Sequence, residues 1–546
     1  MSHIRKNENH TMEITGMSHE GQGVGRIDNF TVFVDRALPG EVVEVKIVKV
    51  NKSYGIGKLI NIQRASPERI EPFCAYSLRC GGCSLQHMSY EAQLKFKTNV
   101  VKDSLKRLGK LEDIIVRDTI GMQDNGKEYR NKAQYPVGMV RDSVAMGFYA
   151  SRSHDIIDGN LCGIQHPYSD RVRECVRKFI IDSGIRGYDE STGNGLIRHI
   201  VTRVGYRTDE VMVVIVINGE SLPACDKLIQ MLSSGIPQVK SIYLNINTAD
   251  TNIIFGNRSM KIYGKDTITD YIGKLRFEIS PLSFFQVNPV QTEVLYRKAL
   301  EYSRLTGNET VFDLYCGIGT ISLFLSQKAK RVYGVEVVEA AIADARLNAK
   351  INGADNVEFI AGEAEKVIPH MYSEGIRADV VVVDPPRKGC DEVLLKILVD
   401  MEPKRIVYVS CNPATLARDL RYLADNGYRA EEVQPVDMFP WTGHVETVVC
   451  LSRKNPDDRI EIDLNLDELD ITASECKATY EEIKDHVQNN HGLKVSSLYI
   501  SQVKRKLGLE VGASYNLPKS EDPKVPNCPF EKELAITDAL KHFMMV

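Results

Sequence analysis

The stretch VFDLYCGIGTISLFLS, residues 311–326, joins a short apolar run to a glycine turn and then to a second apolar run with helical spacing. Gly317 and Gly319 let the backbone approach a ligand closely, because no Cβ atom stands in the way. A Gly-x-Gly turn is common in proteins, so its meaning depends on the surrounding residues. The pattern predicts a strand, a turn and a helix that begin a parallel α/β sheet.

Acidic residues at the ends of the next two predicted strands indicate which ligand the glycine turn binds. In VYGVEVVEAAIADARLNA, Glu336 ends the second predicted strand about twenty residues after the glycine turn, where an acid suits the hydroxyl groups of a ribose. Glu363 follows the third strand in NVEFIAGEAEKV. The chain has neither the second glycine half of a dinucleotide site nor a GxxxxGK[ST] loop, so S-adenosylmethionine fits better than NAD or a nucleoside triphosphate.

Three further polar residues fall at predicted strand ends. Asp384 ends the fourth strand in VVVVDPPRKG, and Cys411 follows the fifth in RIVYVSCNPATL. Glu446 lies near the start of HVETVVCLSRK (444–454), which alternates as an edge strand. Ligands of doubly wound sheets bind at the carboxyl ends of the strands, so one cleft could gather these side chains.

The cysteine has two interpretations. Alone, VSCNPATL favours a small buried residue. If the acceptor is C5 of uracil, however, that carbon is a poor nucleophile until a thiolate adds to C6, and a base must later remove the C5 proton. Asn412 and Pro413 favour the start of a helix, whose positive end would stabilise the Cys411 thiolate. Glu446 is then the available base.

The N-terminal segment has a different pattern. Residues 12–62 alternate apolar and polar positions and are divided by Gly, Asp-Asn and Pro-Gly turns into four or five short strands. This pattern is typical of a small antiparallel barrel. The phrases GQGVGRIDNFTVFVDRALPGE and KSYGIGKLI resemble a TRAM domain, an RNA-binding barrel of the OB type.

A cysteine cluster follows the barrel. Cys74, Cys80 and Cys83 have the spacing C-x5-C-x2-C, and Cys162 in DGNLCGIQHP is the expected fourth ligand. Four thiolates can hold zinc or an iron–sulfur cluster, and the spacing alone does not decide between them. Arg130, Lys132 and Arg198 lie in the phrases YRNKAQYPV and LIRHIVTRV and are candidate phosphate contacts, with ordinary surface positions as the alternative.

Charge, hydropathy and cysteine content indicate which partners and which compartment the protein could have. The net charge of the 546-residue chain is −4, but residues 455–475 carry eight acids and one base, so the rest of the chain is net positive and permits a polyanionic partner. Neither an apolar run of about eighteen residues nor a signal-like N-terminus is evident, which predicts a cytoplasmic protein without a membrane span. Twelve cysteines in that compartment favour metal binding or catalysis over disulfides.

Taken together, DLYCGIGT, DPPRKG, SCNPATLARDL, HVETV and SFFQVNP resemble the RNA uracil-C5 methyltransferase family, of the type that modifies 23S ribosomal RNA. The resemblance covers about residues 10–455. It implies that Cys411 is the nucleophile, that Glu446 is the base, and that the cysteines hold a 4Fe–4S cluster. It also implies donor contacts from the loop and strand-end residues Gln286, Tyr315, Gly317, Thr320, Glu336, Glu363 and Asp384, of which Thr320 and Glu363 stand at positions that vary within the family.

The predicted fold is therefore multidomain, and a monomer is expected. Two alternatives stay open: the same chemistry on the T-loop uridine of tRNA, or a non-catalytic RNA-binding protein. The C-terminal part, with its basic helix SQVKRKLG, could contact RNA, bind a protein or stabilise the chain. The expected divisions are a TRAM barrel (10–66), an α+β central domain (67–92 and 122–280), a doubly wound methyltransferase domain (93–121 and 281–454), an acidic linker (455–471) and a helical module (472–546).

Overall fold

The structure is a computed structural model that describes residues 4–140, 143–159, 161–454, 479–507, 509, 528–543 and 545. The chain divides into two compact units, 1–455 and 456–546. The predicted acidic linker lies outside the described residues.

A closed five-stranded barrel opens the first unit, with strand order β1-β2-β3-β5-β4. Alternate residues of the fourth strand point into its core, where Val43, Val45 and Ile47 are fully buried. This period of two confirms the predicted barrel. The strands are β1 (Asn9–Met17), β2 (Gly23–Ile27), β3 (Phe30–Val34), β4 (Val42–Val50) and β5 (Tyr54–Arg64).

After the barrel come helix α1 (Tyr90–Arg107) and the short strand β6 (Ile115–Val116), and then a seven-stranded sheet of order β13-β12-β11-β10-β7-β8-β9. Strands β10 and β11 of this sheet are buried throughout; β11 is entirely apolar, whereas β10 also carries Arg198, His199, Thr202 and Arg203. The elements are β7 (Lys132–Val140), β8 (Ser143–Tyr149), β9 (Ile156–Asp158), α2 (Pro167–Asp182), β10 (Ile197–Val204), β11 (Val211–Ile217), α3 (Cys225–Gly235), β12 (Val239–Ile246) and β13 (Arg258–Gly264).

A hairpin of β14 (Ile268–Ile272) and β15 (Leu275–Ile279) leads into an eight-stranded sheet of order β18-β17-β16-β19-β20-β22-β21-β6. The first five of these strands run parallel, which confirms the doubly wound fold. The elements after the hairpin are α4 (Pro289–Ser303), β16 (Thr310–Leu314), α5 (Thr320–Ser326), β17 (Arg331–Glu336), α6 (Glu339–Ile351), β18 (Val357–Ala361), α7 (Ala364–Ser373), β19 (Val380–Val383), α8 (Glu392–Met401), β20 (Arg405–Ser410), α9 (Pro413–Asp425), β21 (Tyr428–Val436) and β22 (Glu446–Arg453).

The prediction of an edge strand over residues 444–454 is wrong. β22 pairs with β20 on one side and with β21 on the other, and its residues from Glu446 to Leu451 are buried. The chain passes outward to β21 and then returns into the gap beside β20. Long-range pairing of this kind leaves no local signal in the sequence.

The second unit contains three described helices, α10 (Tyr480–His491), α11 (Ser497–Lys506) and α12 (Phe530–His542). Thr479 and Glu482 form a capping box at the start of α10, and Gly492 ends that helix in the left-handed conformation. The helices share a small apolar core that includes Ile483, Ile500 and Ile536. The third helix is not evident from the sequence pattern alone.

Candidate active site

The site lies where the order of the large sheet changes direction. From β16 the chain proceeds to β17 and β18 on one side, and then crosses to β19 and β20 on the other. The carboxyl ends of β16 and β19 therefore flank a crevice in which ligands of doubly wound sheets bind.

The turn after β16 has the backbone that the glycines predict. Tyr315, Gly317 and Gly319 all have positive φ angles, of 67°, 56° and 80°. A Cβ atom on Gly319 would lie 2.5 Å from Cζ of Phe359, so packing as well as φ requires glycine there.

Glu336 stabilises this turn from the neighbouring strand. One carboxylate oxygen accepts a hydrogen bond from the Gly317 amide at 3.2 Å, and the other accepts one from the Val338 amide at 3.0 Å. The acid thus stands at the end of β17 beside the glycine turn, as the sequence predicts for a ribose-binding position.

Sequence reasoning missed Asp313, which lies inside β16. Its carboxyl group is buried and accepts a hydrogen bond from Ser322, yet its Oδ1 atom has no partner among the described residues. Burial raises the pKa of Asp313 to about 7. A buried oxygen without a partner beside the turn is the kind of group that a ligand's N–H would satisfy. An acid four residues before Gly317 was the available signal.

The other predicted donor residues differ in their surroundings. The Thr320 hydroxyl lies 2.9 Å from that of Tyr296, and Tyr315 donates to Glu365 at 3.3 Å. Gln286 is half-buried in the loop before α4, and its backbone oxygen accepts from Asn131 at 3.1 Å. Glu363 is exposed and pairs with Lys366 at 2.8 Å, so its carboxylate faces solvent.

Sheet register brings the predicted nucleophile and base together. β22 is antiparallel to β20, and Ser410 pairs with Thr447. The residue that follows β20, Cys411, therefore lies at the same edge as Glu446, the residue that begins β22. Asp384, which follows β19, lies at this edge too.

The helix after Cys411 begins as predicted. The Asn412 side chain accepts from the Ala414 amide at 3.0 Å, and Pro413 occupies the first turn. Asn412 and Thr415 also donate to the backbone oxygen of Arg387, at 3.1 and 3.2 Å. These bonds hold the DPPR loop against the start of α9.

The prediction that the helix start favours a thiolate is wrong for the free protein. Burial and the nearby carboxyl groups of Glu446 and Asp384 raise the pKa of Cys411 to about 11, and Arg387 opposes them only in part. Glu446 is buried as well, and burial together with Asp384 raises its pKa well above the usual range. Burial and the two carboxyl groups therefore act against ionisation of Cys411, and burial acts against ionisation of Glu446.

The four predicted metal-binding cysteines lie in one region of the first unit. Each of Cys80, Cys83 and Cys162 has its pKa raised by burial and by charge on other members of the set, with Cys83 at about 12 and Cys162 at about 11. Cys74, Cys80 and Cys162 line one cavity. The cysteines are free thiols, and no group of three or more His, Cys, Asp or Glu in the described part of the chain has the geometry of a metal site.

The candidate phosphate contacts divide into two kinds. Arg198 is buried and donates to the backbone oxygens of Asn247, Ala249 and Thr251 at 2.8, 2.7 and 3.1 Å. It therefore holds a loop of the central sheet, and the structure contradicts its predicted role. Arg130 and Lys132 are half-buried.

None of the described helices is long and apolar enough to cross a membrane. The cytoplasmic location and the monomeric state stay predictions.

A glycine turn at the switch point of a doubly wound sheet, with Glu336 at the end of the neighbouring strand, defines the class of nucleoside-binding α/β proteins. Residues 7–60 match the TRAM domain family, and residues 243–454 match the family described as tRNA (Uracil-5-)-methyltransferase. The chain belongs to the RNA uracil-5-methyltransferase family.

Relatives match about four fifths of the chain. An uncharacterized RNA methyltransferase of Halalkalibacterium halodurans is 54% identical over 82% of this chain and 98% of its own length. Another from Caldanaerobacter subterraneus is 53% identical over 83% of this chain and 100% of its own. The crystal structure of Pyrococcus abyssi tRNA (uracil-54, C5)-methyltransferase in complex with S-adenosyl-L-homocysteine has a TM-score of 0.66 and 30% identity, and it covers 81% of this chain and 99% of that one.

Proposed function

We propose that the protein transfers a methyl group from S-adenosylmethionine to C5 of a uridine in 23S rRNA, through a covalent bond between Cys411 and C6. The observation that carries this proposal is the pairing of β20 with β22, which puts Cys411 and Glu446 at one edge of the sheet beside the glycine turn. A methyl donor and a pyrimidine bound at that edge would meet both groups.

The residues of the crevice fit the donor. The unpartnered Oδ1 atom of Asp313, the close backbone of the glycine turn and the carboxylate of Glu336 offer acceptors for a nucleoside and for an amino group. Gln286, Tyr315, Thr320 and Asp384 surround the same edge of the sheet in our proposal. Glu363 has less support because its side chain pairs with Lys366. When bound, the donor supplies an electrophilic methyl group on a positively charged sulfur.

The reaction then depends on two protein groups. The Cys411 thiolate would add to C6 of the uracil, and the ring electrons would move to C5 and O4, so that C5 becomes nucleophilic. C5 would then take the methyl group as the bond between that group and the donor's sulfur breaks, which leaves S-adenosylhomocysteine as the neutral leaving group. The Glu446 carboxylate removes the C5 proton. The electron pair returns to form the C5–C6 double bond, the bond to sulfur breaks, and Cys411 leaves as thiolate.

Cys411 and Glu446 both react in their deprotonated forms, and both have raised pKa values in the free protein. A cationic donor in the crevice would lower both pKa values by direct attraction. We therefore propose that donor binding ionises the site, with Arg387 contributing a smaller effect in the same direction.

We also propose that the cysteine set binds a metal group. Cys74, Cys80, Cys83 and Cys162 interact electrostatically with one another, and four thiolates suit a 4Fe–4S cluster, with zinc as the alternative. Such a group would join the segment around residue 80 to the one around residue 162. We assign it a structural role, since the cysteines are not among the residues at the edge of the sheet where Cys411 lies.

The RNA remains to be identified. The resemblance of the motifs favours 23S rRNA, while the likeness to the Pyrococcus abyssi protein supports the uridine of the tRNA T-loop as a second candidate. Mass mapping of 5-methyluridine in rRNA and tRNA from a deletion strain, before and after complementation, distinguishes them. Loss of the methyl group from tRNA alone would overturn the 23S assignment and leave the chemistry intact.

A further inference from the structure

Three cations of the central domain stand together with few acids. Lys132 on β7 lies directly opposite Arg203 on β10 in the antiparallel pairing of the two strands. Arg130 precedes Lys132 by two residues, and both arginines act electrostatically on the lysine. Like charges opposite each other destabilise a sheet unless something compensates them. We call these three residues the cation cluster.

The protein supplies little of that compensation. Arg203 is 4% exposed and donates to the Ser283 backbone oxygen, but its Nε atom has no partner among the described residues. The carboxylate that acts on Arg203 is Asp344, which already accepts hydrogen bonds from Ser280 and Ser283 at 3.0 and 3.1 Å.

Lys132 is the member with the least compensation. It has no ion pair among the described residues, and its ammonium group lies 5.8 Å from the centre of the Phe255 ring. Burial and the charges of Arg203 and Arg130 lower its pKa to about 7. A half-buried amine that carries this cost is a group that an anion would stabilise.

The cluster adjoins the proposed site. Asn131, between Arg130 and Lys132, donates from its backbone to Val287 at 2.9 Å and from its side chain to the Gln286 oxygen at 3.1 Å. Ser283, the partner of Arg203, belongs to the same loop. An anion held here would stand beside the loop that carries Gln286.

We propose that the cation cluster binds a backbone phosphate of the RNA next to the uridine that enters the site. This inference rests on the proposed function, because it takes the partner of the site to be RNA. A phosphate brings the negative charge that this cluster lacks and an acceptor oxygen for the Lys132 ammonium group, while the buried Arg203 adds to the positive field. The other oxyanion that could reach this loop is the carboxylate of the methyl donor.

The test measures binding of a short oligouridylate by the full-length protein. Replacement of Lys132 by alanine should weaken binding about tenfold and reduce the slope of log affinity against log salt by about 0.7. Lys240→Ala, which removes an exposed lysine of the same sheet, should change neither. Thermal unfolding of each variant checks that the fold is retained.

A second variant, Lys132→Arg, keeps the positive charge at this position but does not lose it as the pH rises. Affinity of the natural protein for oligouridylate should fall as the pH rises from about 7 to about 9, since Lys132 loses its proton in the free protein. The groups that face Lys132 are Arg203, Arg130 and Phe255, and among the described residues none is an acid. Lys132→Arg should bind with a flatter pH dependence, because arginine stays charged.

Two outcomes would overturn the assignment. If Lys132→Ala bound oligouridylate as tightly as the natural protein, the cluster would not bind an RNA phosphate. If the same variant bound S-adenosylhomocysteine more weakly, the cluster would instead bind the carboxylate of the methyl donor. The proposed function is tested separately, by measuring 5-methyluridine in 23S rRNA. A negative result there does not alter the result for oligouridylate binding.

Discussion

Cys411 follows β20 and Glu446 begins the antiparallel strand beside it, so that the carboxyl group raises the pKa of the thiol. A buried acid next to a cysteine hinders thiolate formation and would be a poor arrangement for a cysteine that acts alone. It suits a reaction in which the acid acts second, on the C5 proton, which can leave only after sulfur has added to C6 and C5 has received the methyl group.

This order of events predicts different defects for the two residues. Glu446→Gln should still form the bond between Cys411 and C6 but should fail to remove the C5 proton, so a protein–RNA adduct accumulates while turnover falls by about 10²–10⁴-fold. Cys411→Ala should form no adduct. Denaturing gels and mass spectrometry after incubation with S-adenosylmethionine and 23S rRNA transcripts measure both effects. An equal absence of adduct in the two variants would refute the assigned order.

A second prediction concerns pH. Since Cys411 and Glu446 both need to lose protons, the single-turnover rate should rise with pH from about 6 to about 9. Arg387 lowers the pKa of both groups, so Arg387→Gln should move the rising limb to higher pH. Lys388→Gln, at the next position, is the matched control, and a limb that stays in place in Arg387→Gln would show that this charge does not act on the site.

The sequence was sufficient for the parts of the site that depend on local pattern. Glu336, Asp384 and Cys411 each end an apolar run, and parallel strands bring such ends to one edge. The barrel followed from alternation in the same way. These inferences need only the period of the chain and the chirality of its connections.

What the sequence could not give depends on distant residues. The place of β22 between β20 and β21 is a matter of pairing across the sheet. The raised pKa of Cys411 comes from burial and from two acids that are distant in sequence, Glu446 and Asp384. Arg198 resembles a surface base until the loop that it holds is seen. The unpartnered oxygen of Asp313 likewise appears only when its neighbours are counted.

A third prediction tests the donor crevice. Glu336→Gln should weaken S-adenosylhomocysteine binding about tenfold, because a charged acceptor beside the glycine turn is lost. Glu339→Gln changes an exposed acid three residues later and should leave binding unchanged. Calorimetric titration of the three proteins measures the difference. Equal affinities would place the donor away from the end of β17.

A fourth prediction tests the cysteine set. Anaerobically purified protein should contain iron and sulfide and absorb broadly near about 400 nm, and Cys80→Ser should reduce both metal content and thermal stability. Cys175→Ser, a thiol of α2 outside the set, should reduce neither. If elemental analysis found one zinc per chain, the bound group would be zinc and not an iron–sulfur cluster. If the protein were fully folded without metal, the assignment of the four cysteines as ligands would be refuted.

The last prediction concerns a buried ion pair that stabilises the segment between β21 and β22, which ends at Glu446. Lys97 of α1 and Asp437 are both fully buried and lie 2.5 Å apart, and Lys97 also donates to the Phe439 backbone oxygen at 3.0 Å. Tyr90 donates a second side-chain hydrogen bond to Asp437, at 2.9 Å. Together these contacts attach α1 to the segment that connects β21 with β22.

Removing one partner of such a pair leaves an uncompensated charge in the interior. Lys97→Met should therefore lower the free energy of unfolding by about 3–5 kcal/mol. The double variant Lys97→Met, Asp437→Asn should recover part of that loss, because no charge is then stranded. Denaturant unfolding followed by tryptophan fluorescence suits the measurement, since Trp441, the protein's single tryptophan, lies in the connecting segment. A double variant as unstable as the single one would mean that packing around Lys97, more than its charge, stabilises this segment.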